Sequence, residues 1–138
     1  MARILWELPI PPTDLFHEAK FIQLLGRECE LSFSYESDSD DNMISDSLIL
    51  EGVECFKCTY LTSCTGDMFE QAYGMLIDLG ETQWLTEVRT VYEKARRRYL
   101  KTPEKLSHIM ICFDDGPCYE FIGTGFRYVS ITKPYSTA

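Results

Sequence analysis

A chain of 138 residues that is 45% hydrophobic and 25% charged has the make-up of one folded domain, which excludes a disordered tail and a fibrous repeat. Its 13 basic and 22 acidic side chains leave a net charge of −9, so neither nucleic acid nor an anionic membrane surface is expected as a partner. Residues 1–10 hold one arginine and a short apolar run broken by Glu7 and Pro9, too little for an export signal or a membrane span. The expected address is cytoplasmic, with all six cysteines as thiols.

Residues 3–8 read as a short strand, ended by Pro9, Pro11 and Pro12, which cannot donate to a ladder. Thr13 then caps a helix running to Gly26, with Leu15, Phe16, Ala19 and Ile22 at helical spacing and His17 on the exposed half. Residues 30–36 alternate Leu31, Phe33 and Tyr35 with polar neighbours, the mark of a half-buried strand. Residues 37–47, rich in Ser and Asp, predict an exposed acidic loop. A long β run over 47–61 follows, with Gly52 as a bulge.

The middle is helical by the same logic. A helix over 67–79 carries Phe69, Ala72, Tyr73, Leu76 and Leu79, with Gly80 just past its end. Thr82 caps the next, whose stripe of Trp84, Val88, Val91, Ala95 and Tyr99 ends before Pro103. The nearly continuous apolar run 106–113 predicts a central strand covered on both faces. Asp115-Gly116 signals a two-residue hairpin into a strand over 118–122. Gly123 and Gly125 then turn the chain into a last strand over 126–131, and 132–138 should fray. The pattern predicts a single α+β domain: a mainly antiparallel sheet of five to six strands with two to three helices on one face.

Several residue sets carry candidate chemistry. Cys55 and Cys58 have the spacing of a zinc half-site that His108 and Cys112 could complete. An i,i+3 pair on a strand points to opposite faces, however, so buried thiols are the simpler reading and no cofactor is expected. Asp38, Asp40, Asn42 and Asp46 fit positions of a calcium loop, but Met43 and Ile49 stand where Gly and Glu are needed. Cys118, Cys64 and Ser63 are candidate nucleophiles, with only His17 and His108 to serve as base. With a two-residue turn Cys118 and Glu120 share one side of the ribbon with Ile109, Ile111 and Phe113, and His108 goes to the other. Glu120 then stands out as a carboxylate among apolar neighbours, either perturbed for function or paired, for instance with Arg127.

The charge is bipolar. Residues 28–54 hold nine acids and no base, whereas residues 89–105 hold seven bases against Glu93 and Glu104. The basic patch of Arg96, Arg97, Arg98 and Lys101 spreads around a helix end and cannot converge on one phosphate unaided. The aromatic stripe of Trp84, Tyr92 and Tyr99 reads as core. The favoured expectation is a non-enzymatic interaction protein that meets a basic protein partner through Glu36, Asp38, Asp40, Asp41 and Asp46. Immunity proteins that neutralise cationic toxins offer an analogy of size and charge alone. Homo-oligomerisation, with the basic segment of one copy facing the acidic loop of another, is compatible with it. A ligand pocket or active site around Glu120 and His108 is the alternative.

Overall fold

The computed structural model describes residues 2–36, 43–114 and 116–133. Among the described residues nine strands form two antiparallel sheets, and two α-helices cover one of them. In chain order the elements are β1 (Arg3–Glu7), β2 (Lys20–Gln23), β3 (Cys29–Glu36), β4 (Met43–Glu51), β5 (Cys55–Thr59), α1 (Gly66–Ala72), β6 (Met75–Asp78), α2 (Gln83–Arg98), β7 (Ser107–Cys112), β8 (Cys118–Gly123) and β9 (Gly125–Lys133). The first sheet has the order β1-β6-β7-β8-β5 and the second β2-β3-β4-β9. The α+β class stands, but the expected single sheet is two.

The layers follow from which face each strand buries. Leu31, Phe33, Tyr35, Leu48 and Leu50 of the second sheet meet Leu76, Ile109, Ile111, Tyr119 and Phe121 of the first in one core. On the far side of the first sheet, α1 packs over Ile77, Met110, Cys112 and Cys118. There α2 also packs, over Leu106 and Ile122. Strand β7 is therefore covered on both faces, which is why Ile109–Cys112 run apolar without alternation.

Four local expectations change. The helix over 13–26 is absent: residues 12–14 form a 3-10 turn and β2 pairs with β3. Its apolar spacing serves a strand edge, and His17 lies in the connection between them. The helix over 67–79 stops at Ala72, because Gly74 takes φ +66 and the chain re-enters the first sheet as β6. Gly80 thus follows a strand. The β run over 47–61 breaks at Gly52, where φ is +58 and the ribbon passes from one sheet to the other. Opposite it, Thr124 makes the same crossing between β8 and β9, donating its amide (2.9 Å) and hydroxyl (3.1 Å) to the Glu51 carbonyl.

The predicted acidic loop also shrinks. Residues 37–42, with Asp38, Asp40 and Asp41, lie outside the described residues, as does Asp115. Residues 43–47 belong to β4, so Asp46 is not a surface acid but a buried one, 1% exposed. It faces the inter-sheet core, where one carboxylate oxygen accepts from the Tyr35 hydroxyl (2.8 Å) and from that of Tyr128.

Candidate functional site

The β7–β8 hairpin decides which polar groups meet. Its loop spans positions 113–117 rather than two residues, and Cys112 pairs with Cys118. A two-residue turn would make Asp114 and Pro117 its closing pair, and Pro117 has no amide to donate. Instead Gly116 donates to the Phe113 carbonyl at 2.9 Å and Phe113 to the Pro117 carbonyl at 3.3 Å. The register slips by one residue, so every side chain of β8 changes sides relative to the expectation. Glu120 now pairs with Met110, and His108 with Ile122. Glu120 and Cys118 leave the side of Ile109, Ile111 and Phe113 and share that of His108, under the helices.

There Glu120 Oε1 lies 2.9 Å from His108 Nε2, and His108 Nδ1 lies 2.8 Å from Thr82 Oγ1. With Glu120 ionised, Nε2 carries the proton and donates to it, and Nδ1 accepts from the Thr82 hydroxyl. The hydrogen bond from His108 holds the Glu120 carboxyl below its ordinary range against the opposing effect of burial, and the nearby Lys57 charge acts in the same direction. The partner is thus His108, not Arg127, which instead pairs with Glu28 and Glu51. Thr82 is also the cap of α2, as its sequence position implies, accepting from Leu85 N at 3.2 Å.

Trp84 links this buried relay to the surface. Its ring meets His108 edge-on at 4.9 Å, and Lys57 Nζ sits 4.0 Å over its face. Trp84 also lines an open groove of about 630 Å³, with Cys55, Val88, Val91, Tyr92 and Ala95 among its walls. The α2 stripe read as core is therefore split. Leu85 and Tyr92 are buried, whereas Val91 and Tyr99 are each 70% exposed.

Charged groups rim the groove: Arg27, Glu54, Glu87, Arg96 and Lys101. Arg27 bonds Glu54, and Arg96 bonds Glu104 (3.3 Å) and the Thr102 carbonyl (3.2 Å). Arg97 reaches Glu93 at 3.8 Å, so the three successive arginines diverge, as their spacing requires. Lys101 and Arg98 make no ion pair among the described residues.

The remaining candidates are not brought together. Cys55 and Cys58 fall on opposite faces of β5, and no group of three or more His, Cys, Asp or Glu among the described residues could hold a metal ion. Cys118 shares the face of His108 but pairs with Cys112, four residues away along β7, about 13 Å at strand spacing. Its Sγ lies 3.3 Å from that of Cys64, and burial pushes its thiol up, the reverse of an activated nucleophile. Burial likewise raises Cys112 to about 11. Glu36, exposed at the end of β3, is the one described member of the acidic set that remains on the surface. No helix among the described residues is long and apolar enough to cross a membrane.

No family model, curated protein or solved structure matches the chain.

Proposed function

We propose that this protein is a non-enzymatic interaction domain whose docking surface is the groove beside α2, and that it receives an apolar segment carrying acidic groups from a partner protein. The observation that carries the reading is the exposure of Val91, Ala95 and Tyr99 on a helix stripe whose first members, Trp84 and Val88, are half-buried. Lys101 at the rim, within the basic segment and without an ion pair among the described residues, supplies the preference for carboxylates. Catalysis is the poorer reading. The Thr82 hydroxyl is occupied as a helix cap, and none of Thr82, His108 and Glu120 lines the groove. A hydroxyl–imidazole–carboxylate chain without access to substrate is a packing device that satisfies buried polar groups.

Selection from a random peptide library on the immobilised protein at about 0.15 M salt tests this. Enriched sequences should combine apolar and acidic residues and lose binding to the Val91→Glu protein. Ile4→Glu, on the exposed β1 at the opposite edge of the first sheet, should bind as well as the parent. No enrichment, or equal binding to Val91→Glu, overturns the reading.

A further inference from the structure

The geometry points to strand addition at β5: an extended peptide alternating apolar and acidic residues pairs with the free edge of the first sheet and drops alternate side chains into the groove. This rests on the docking reading above and specifies how the partner is held. Strand β5 ends its sheet, and among the described residues it pairs only with β8. Its middle residues Phe56, Lys57 and Cys58 are exposed. An edge with unpaired amides and carbonyls is a template for another strand.

Two hollows flank this edge. The α2 groove meets it at Glu54 and Cys55. A second hollow of about 390 Å³, on the side of β2, is lined by Leu24, Arg27, Val53, Glu54, Cys55 and Phe56 among others. Side chains of an added strand alternate between the two faces of the sheet, so successive residues would enter one hollow and then the other. Exposed apolar groups line the two hollows at this edge: Phe56 on β5, and Val91 and Tyr99 on α2.

Charge selects the occupant. Lys57, at the centre of β5, lies over Trp84 within charge reach of Glu120, and Lys101 lies at the groove rim; neither makes an ion pair among the described residues. A second copy pairing antiparallel through a centred β5 would set Lys57 opposite its own equivalent, which disfavours that pairing. An acidic peptide meets both lysines with opposite charge.

The probe is an acetylated, amidated nine-residue peptide alternating valine and glutamate, added at millimolar concentration while amide exchange is followed. Among residues 55–59, the amides that point away from β8 should exchange about tenfold more slowly, while those already bonded to β8 should change little. Methylating the peptide's backbone nitrogens at alternate positions should abolish the effect for one parity and spare it for the other, because only one set of amides faces β5. Replacing glutamate by lysine in the probe should abolish it as well. No protection of 55–59 overturns the proposal. So does protection that grows with protein concentration without peptide, which assigns the edge to a second copy. Library-selected peptides that need Val91 while leaving 55–59 unprotected would remove strand addition and keep the docking reading. An empty selection would remove both.

Discussion

Replacing Glu120 by Gln keeps the size of the side chain and an oxygen within reach of His108 Nε2, while removing the charge. A hydrogen bond to an ionised partner contributes roughly 1.5–3 kcal/mol and a neutral one roughly 0.5–1.5, so the loss at pH 7 should be about 1 kcal/mol. With a urea slope of about 2 kcal/mol/M, the unfolding midpoint should fall by about 0.5 M. The pH dependence is the sharper test. The His108 bond depresses the Glu120 carboxyl in the folded protein relative to the unfolded chain, where glutamate titrates near about 4.3. The stabilisation is therefore complete above that unfolded value and disappears as pH falls through the lower folded one. Urea titrations of both proteins from pH 7 downward should show a gap that narrows once the pH drops below about 4. A gap of the same size at every pH would mean that shape, not charge, separates the two proteins, and the ionised relay would be wrong.

Gly52→Ala places a β-carbon against the Thr124 side chain at a residue with φ +58. The left-handed backbone alone costs about 1–2 kcal/mol, and the collision adds to it, so thermal unfolding should drop by several degrees. In a Thr124→Ala background the same substitution should cost no more than the left-handed backbone does, about 1–2 kcal/mol, and an unchanged cost would place the strain elsewhere. Alkylation of the folded protein followed by peptide mass mapping should modify exposed Cys58 first and leave Cys29, Cys112 and Cys118 until unfolding, since all three are buried. Labelling of Cys118 at the rate of Cys58 would show that the segment carrying Cys64 does not stay closed over it.

Elements fixed by local chemistry were legible in the sequence. The alternation of Leu31, Phe33 and Tyr35 gave β3, the Thr82 cap gave the start of α2, and the nearly continuous apolar run gave the central β7. Elements fixed by what lies across the sheet were not. Leu76 and Ile77 fit a helix stripe equally well, and β1 and β7, distant in sequence, make them a strand. Gly52 reads as a bulge until a second sheet exists for the ribbon to enter. The groove was hidden for a related reason: periodicity shows that Trp84, Val88 and Val91 share a face, not how far the neighbouring sheet extends beneath it. One local signal was available for the hairpin, since a proline after Asp115-Gly116 removes the donor a two-residue turn needs.

The uncovered helix stripe and the uncovered strand edge have one structural cause. Helix α2 rests on Leu106 and Ile122, the latter in the penultimate strand β8, and reaches Cys55 where the sheet ends. Its outer residues Val91 and Tyr99 therefore overhang a sheet that lacks a further strand to support them. A strand placed next to β5 would satisfy the open backbone groups and at the same time slide beneath the overhang, covering both with one segment of chain. Two unrelated ligands would be needed only if the edge and the stripe lay on different sides of the molecule, and Cys55, which belongs to β5 and also lines the groove, places them side by side.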